Sequence, residues 1–437
     1  NTNQPGDNRG GNRRSNSLPE SVKSDVFNTL APIYHMSKIC GLLPVKFKKD
    51  KTGRYRGRLS LPATFYGIFL MLGLVGIQIW GLYRDLRDGW RNSTRLSSET
   101  GITSTCSDVY AVISVVVISI IGSPYRWKDL NNALNKIVEV DEKLNTPTSK
   151  NLRHVSIIVI SSSLIYVIVL SILDFISWTL ATETKDNKNF GDKGPINYVP
   201  ISFMYIVIIT FELQYALVLF NVGERFLKLN KTIENLTRTN LVIKYFRQDL
   251  RLDMPSNSQK NSTRPIQISD LPCPRLRRRS KISDFANTEE GTWGASDPID
   301  QLIILHGILC DSIISINKAY GGAILISTIS CLIHLIITPY FLYNQIYSDN
   351  GNGWYVIAIQ IFWTLFHIYR LLLFVQPCHM VATKARRTGS LISQALASNW
   401  DPEAKKRLEI FSLQLLQRPV RFTACGLFSL DRGLVTS

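Results

Sequence analysis

No Cys-x-x-Cys pair joins any of the seven cysteines of this sequence (40, 106, 273, 310, 331, 378, 425), and no His, Cys and carboxylate group has metal-ligand spacing. These absences remove zinc sites and a disulfide framework; only Cys106 is expected to face the outside. No nucleophile motif stands out, so an enzyme is not expected and no cofactor is implied. Charge is scarce as well: 19% of the 437 residues are charged and 45% are apolar. Mean hydropathy is nonetheless only +0.05, because the 50 basic and 33 acidic residues are segregated from long apolar blocks. That segregation excludes a soluble enzyme, a secreted disulfide scaffold and a disordered chain, and marks a polytopic membrane protein. A formal charge of +17 fits the Lys/Arg excess of cytoplasmic loops, so lipid rather than nucleic acid is the expected partner. No signal-peptide pattern precedes the polar start, and a chain that opens on Asn1 reads as a fragment at one end or the other.

Six apolar blocks are long enough to cross ~30 Å of hydrocarbon at ~1.5 Å per residue. They run over 61–83, 106–122, 155–180, 199–222, 319–347 and 354–376. The fifth is the clearest, with 30 uncharged residues between Lys318 and Asp349; the second is the shortest, with 17 between Asp108 and Arg126. A seventh block, Phe422 to Ser437, is interrupted by Asp431 and Arg432 and is expected to begin a span the chain does not complete. Lys and Arg are about twice as frequent in the second and sixth loops as in the first, third and fifth, which places the N-terminus in the cytoplasm. The expected architecture is all-α: a seven-helix membrane bundle over a cytoplasmic helical domain, N-terminus inside. It divides into a cytoplasmic segment (1–60), spans one to four with their loops (61–222), a cytoplasmic loop (223–318), spans five and six (319–376), a cytoplasmic helical segment (377–421) and the incomplete seventh span (422–437).

Stripes of apolar residues justify the helical domain. Trp127, Leu130, Leu134, Ile137 and Leu144 share one helix face, as do Leu302, Leu305, Leu309 and Ile316. Asp401-Pro402 reads as an N-cap with Pro at N1, and Leu408, Phe411 and Leu415 follow on one face. Such faces need a partner; helices lying on lipid are the alternative. Between 253 and 300 the pattern fails: five Pro and seven Ser occur with few aromatics, the composition of a disordered insertion. Within it, Arg277-Arg278-Arg279-Ser280 makes Ser280 a candidate phosphorylation site, or a basic stretch near anionic headgroups. Asn92-Ser93-Thr94 is a sequon on the expected outer side, making Asn92 the candidate glycosylation site; the other sequons, at 230, 235 and 261, fall inside.

Polar residues inside a membrane are costly and therefore candidates for function. Asp108 lies near the outer end of span two, Asp174 and Trp178 in the outer third of span three, Thr338 and Tyr340 in that of span five, Gln360 and Trp363 in that of span six. Four helices thus present carboxylate, amide, hydroxyl and indole within about two helical turns of depth. The mixture suits a sugar, whose hydroxyls need donors and acceptors and whose C–H face stacks on indole. Gln360, Trp363 and His367 share a helix face, as do Ser330, His334 and Thr338. Each has a plainer alternative. Ser and Thr in membrane helices often bond their own i−4 carbonyl, Trp178 and Trp354 suit an interfacial belt, and His334 and His367 suit packing. Gln360 with Trp363 is the strongest pair. Glu212, mid-span, needs a partner or a proton, and Arg370 sits deep in span six.

Two stretches carry a resemblance. At the fifth span stand His306, Leu309-Cys310-Asp311 and Ile316-Asn317-Lys318-Ala319-Tyr320-Gly321; near the end stands Phe422-Thr423-Ala424-Cys425-Gly426-Leu427-Phe428-Ser429-Leu430-Asp431. These resemble the insect gustatory receptors, the first most closely their fructose-sensing branch, over nearly the whole chain from about residue 30. The resemblance implies a ligand-gated cation channel in the plasma membrane of chemosensory neurons, a homotetramer or a hetero-oligomer with related receptors, with the last span lining the pore. It also implies a Gln-x-x-Trp in the ligand site, here Gln360 and Trp363, and fructose as the ligand. The family's Thr-Tyr-(five apolar)-Gln-Phe signature has no counterpart before the chain ends, which is why the chain is expected to be truncated. Two other readings compete. A G-protein-coupled receptor has the opposite orientation, and neither Asn-Pro-x-x-Tyr nor Asp/Glu-Arg-Tyr occurs. A transporter favours internal repeats with Gly/Pro-broken spans, whereas Pro339 alone breaks one here.

Overall fold

The computed structural model describes residues 26–49, 55–87, 99–144, 150–183, 194–252, 297–347 and 354–436. Asn92, Ser280 and nearly all of the 253–300 segment lie outside these residues. The described chain is helical throughout save two small hairpins: α1 (Val26–Ile39), β1 (Val45–Lys49), β2 (Tyr55–Leu59), α2 (Leu61–Arg87), α3 (Glu99–Ile121), α4 (Ser123–Leu144), α5 (Lys150–Glu183), α6 (Gly194–Asn197), α7 (Val199–Leu252), α8 (Pro298–Tyr347), α9 (Trp354–Ala397), α10 (Pro402–Gln417), β3 (Thr423–Ala424), β4 (Phe428–Ser429) and α11 (Gly433–Thr436). Six of them, α2, α3, α5, α7, α8 and α9, are long and apolar enough to cross a membrane.

α7 is the axis of the bundle. Its most apolar stretch is 83% buried, against 22% for α2, and α1, α2, α3, α5, α8 and α9 all pack on it. α2 turns Phe65, Phe69, Leu72 and Trp80 outward, the face expected toward lipid. α7, α8 and α9 each run on well past a membrane's thickness, and their extensions join α4 and α10 in a helical layer at one end, here called the anchor end. There the apolar stripes find their partners. Trp127, Leu130, Leu134 and Ile137 of α4 and Leu302, Leu305, Leu309 and Ile316 of α8 are all buried, and α4 packs along α8. α10 begins as its residues dictate: Asp401 accepts from the Ala404 N–H at 3.2 Å, with Pro at the first turn. Arg407 ties it to Asp297 at 3.1 Å and Asp300 at 2.6 Å.

The N-terminal segment is more structured than its charge suggests. α1 buries Val26, Leu30, Ile33 and Tyr34 against α5 and α7. The antiparallel β1–β2 hairpin then places Phe47 on Tyr34 (5.5 Å) and edge-on to Trp127 (5.8 Å). Gly57 is required beneath that indole, since a Cβ there would collide with Trp127.

The seventh apolar block differs from its expectation. Phe422 does not open a helix: 422–430 folds back as the β3–β4 hairpin, turning through Cys425 and Gly426, both at positive φ. Helix resumes only at Gly433. The reason is the Cys-Gly turn, which an apolar count does not register. This hairpin also joins the two stretches that carry the family resemblance. Asn317 donates to the Arg421 carbonyl at 2.9 Å, and a Cβ on Gly321 would come within 3.3 Å of the Cys425 nitrogen.

Candidate functional site

Away from the anchor end, α3, α7, α8 and α9 converge on a cluster of polar and aromatic side chains. His334 of α8 is at its centre, 2% exposed. Its Nε2 lies 2.8 Å from Asp108 of α3 and 3.1 Å from the Tyr205 hydroxyl of α7, while its Nδ1 meets the Ser330 carbonyl one turn back. Tyr205 also reaches Asp108, at 3.3 Å. His367 of α9 stacks on His334 with ring centres 4.3 Å apart. Trp363, one turn along α9, stacks on His367 at 5.9 Å and tilts against Tyr205 at 5.0 Å. Phe366 closes the group at 5.6 Å from Trp363 and 5.8 Å from Tyr205. The 3.6-residue period does the positioning: Trp363, Phe366, His367 and Arg370 all fall on the face of α9 that meets α7 and α8.

Of the residues singled out from the sequence, the structure thus brings together Asp108, Trp363, His334 and His367. Gln360 lies one turn above Trp363, half-buried, its carbonyl accepting from Thr364 at 2.9 Å. Thr338 is buried, and its hydroxyl donates to the His334 carbonyl at 2.7 Å, the i−4 bond usual for threonine in a membrane helix. Trp178 is 8% exposed and tilts against Tyr198, just before α7, at 5.0 Å. Asp174 is half-buried one turn before it on α5. Tyr340 is half-buried and rests on its neighbour Phe341 at 5.9 Å. Trp354 is 76% exposed at the first residue of α9. Tyr205 was not anticipated: within Ile201-Ser202-Phe203-Met204-Tyr205 it reads as one more aromatic, and only its reach to Asp108 and His334 distinguishes it.

Glu212, whose partner the sequence leaves open, is bound by Arg370. The guanidinium donates from Nη2 to Oε1 at 2.8 Å and from Nε to Oε1 and Oε2 at 3.0 and 3.2 Å. Ser327 of α8 donates to the same carboxylate at 2.8 Å, so one buried pair ties α7, α8 and α9 together directly beneath the aromatic cluster. Asn230, formally a sequon, is 2% exposed and holds Lys384 and Thr388 of α9.

Six membrane-length helices among the described residues, around a buried polar cluster, define a multi-pass, mainly helical membrane protein. The model of the 7tm chemosensory receptor family matches residues 30–437, and the chain belongs to that family. It is 26% identical over 421 residues to the gustatory receptor for sugar taste 43a of Drosophila melanogaster, covering 93% of each chain. The putative gustatory receptor 28b of the same fly is 21% identical over 193 residues, 43% of this chain and 41% of that one. The olfactory receptor OR5 of Machilis hrabei shares the fold, with a TM-score of 0.55 over 94% of this chain and 95% of that one at 10% identity. The same receptor in complex with eugenol gives 0.55 at 11% identity.

Proposed function

We propose that the protein is a gustatory receptor subunit that binds a sugar, fructose by preference, and opens a non-selective cation channel formed by four subunits in the plasma membrane. The observation that carries the sugar reading is the cluster of Trp363, Tyr205, His334, His367 and Asp108. It combines an indole face with hydroxyl, imidazole and carboxylate groups in a buried setting, where an unmatched ligand hydroxyl is costly. Gln360 supplies the amide one turn above. Asp174, Trp178 and Tyr340, singled out from the sequence at a similar depth, are further candidates for ligand contact. The likeness to a sugar-taste receptor over 93% of both chains supports the same ligand class, and the fold is one shared with an insect olfactory receptor. The Lys/Arg excess of the even-numbered loops supports a cytoplasmic N-terminus and anchor end.

Whole-cell recording from cells expressing the receptor, challenged with a panel of sugars, tests this. A current that rises within milliseconds of fructose application and does not depend on intracellular nucleotide is the expected result. Saturable electroneutral uptake without current would make it a transporter. A tag at residue 1 should bind antibody only after permeabilisation; labelling on intact cells would reverse the orientation.

A further inference from the structure

The sugar site rests on a buried ion pair, and the hydrogen-bond logic of that pair fixes what one of its residues can offer a ligand. We propose that Arg370 is a positioning residue: it sets the tautomer of His367, so that this ring presents a single N–H donor, at Nε2, to a ligand hydroxyl. The proposal rests on the sugar-site reading for its ligand, though not for the tautomer.

A guanidinium has donors and no acceptor. Arg370 Nη1 lies 3.4 Å from His367 Nδ1, so that nitrogen must accept, and the ring's one proton is on Nε2. Arg370 has no freedom to do otherwise. Its Nε and Nη2 are spent on Glu212, which Ser327 also holds, and both charged side chains are fully buried. Its cation lies 6.0 Å from the Tyr205 and Phe366 ring centres, the two rings that flank the site. His334, stacked 4.3 Å away, differs: its Nδ1 meets the Ser330 carbonyl, which can only accept, so that nitrogen carries a proton, while its Nε2 faces Asp108 and the Tyr205 hydroxyl. The two stacked imidazoles are thereby distinguished: His334 is committed to its own helix, Asp108 and Tyr205, while the Nε2–H of His367 is the donor left for a guest. The site therefore combines this donor with the carboxylate of Asp108, a pattern suited to a neutral polyol.

The test compares fructose with its single-position deoxy analogues, by dose–response of current, in wild type, His367→Leu and the double variant Glu212→Gln/Arg370→Met. The double variant removes both charges together, so no lone buried charge is left to prevent folding. In the wild type, one analogue should lose roughly 3- to 10-fold more potency than the others, the worth of one neutral hydrogen bond. His367→Leu and the double variant should both abolish that analogue's special penalty, and combining them should abolish nothing further. If the double variant weakens all analogues equally while keeping the penalty, Arg370 is structural only and the proposal fails. Histidine-selective nitrogen-15 spectra of the purified receptor give a readout that needs no ligand. His367, assigned by its loss in His367→Leu, should be a neutral Nε2–H tautomer that gives way to a mixture in the double variant. A Nδ1–H or doubly protonated ring in the wild type overturns the proposal even if sugars gate the channel. If no sugar evokes current, the sugar reading fails and these spectra alone decide the tautomer.

Discussion

Two buried arginine–carboxylate pairs lie along α7, about 20 Å apart on the helix axis, and they have different surroundings. At the anchor end, Arg225 grips Asp141 of α4 with a two-pronged fork at 3.0 and 2.7 Å, and its remaining arm meets the carbonyl and side chain of Asn221, each at 3.0 Å. Every polar group there is spent on the protein's own framework. Arg370 grips Glu212 from the same two nitrogens, Nε and Nη2, but its remaining arm goes to His367, a member of the aromatic cluster. The same chemistry thus closes a joint in one place and reaches into a candidate binding site in the other. A saturated pair is a structural rivet; a pair that gives one donor to a site residue shapes what that site can bind.

The largest effects should separate the two pairs. Asp141→Ala leaves Arg225 charged and unpaired in the interior, at a cost of about 3–5 kcal/mol, so surface expression and the melting temperature of detergent-solubilised receptor should collapse. Removing both partners together, as Asp141→Leu/Arg225→Met, should restore much of the stability and leave the sugar dose–response as in the wild type. A double variant that folds but has lost its ligand response would erase the contrast drawn here.

Next in size come the site residues themselves. Trp363→Ala and Gln360→Ala should each lower sugar potency without lowering surface expression, by roughly 1–3 kcal/mol or about 5- to 150-fold. The indole loses its stacking face toward the sugar, and the amide leaves a ligand hydroxyl desolvated. Unchanged dose–response in both variants would move the site elsewhere in the bundle.

The shared face that brings Trp363 onto His367 was legible from the sequence, whereas other parts of the cluster were not. Gln360, Trp363 and His367 share a face of one helix, so period alone groups them, and the uncharged run of span five is plain because lipid tolerates no lone charge. Glu212 announced a need but not its answer, since Arg370 is 158 residues away on another helix. Tyr205 was silent for the same reason: its role comes from what α3 and α8 bring to it. The β1–β2 hairpin was hidden by its own lysines and arginines. Its alternation of Val45, Phe47 and Lys49 is short, and Phe47 packs against the core only because Trp127 arrives from α4. The Cys425-Gly426 turn was hidden by apolar neighbours that read as a span.

A smaller effect distinguishes the anchor end by pH. His306 is wedged between the rings of Phe226 (5.8 Å) and Phe411 (5.7 Å), and burial, helped by the charge of Arg418, lowers its pKa to about 4. The unfolded chain takes up this proton near pH 6.5 and the folded protein does not, so stability is complete above about 6.5 and declines as the pH falls toward 4. Full protonation of the unfolded state would account for roughly 3 kcal/mol. Melting temperature measured between pH 7 and 4 should fall more steeply in the wild type than in His306→Gln. Parallel profiles would mean that His306 is solvated or already charged in the fold.

The smallest effect is expected at Thr338, and it bears on where the binding site stops. The hydroxyl donates to the His334 carbonyl at 2.7 Å, a carbonyl that the helix's own N–H at 338 also supplies. Thr338→Val keeps the shape and removes only this second, redundant bond, so His334 stays where Asp108 and Tyr205 hold it. Stability should change by within about 0.5 kcal/mol, and sugar potency by less than about 3-fold, in the same recordings that show large losses for Trp363→Ala. The remaining lone pairs of that hydroxyl are the alternative: if they receive a ligand hydroxyl, valine would cost about 10-fold or more. Such a loss would extend the site a full turn along α8 beyond His334, toward Tyr340, and would make the floor above Arg370 one part of a deeper cleft. A null result confines recognition to the level of His334, His367 and Trp363, where the ion pair beneath can act on it.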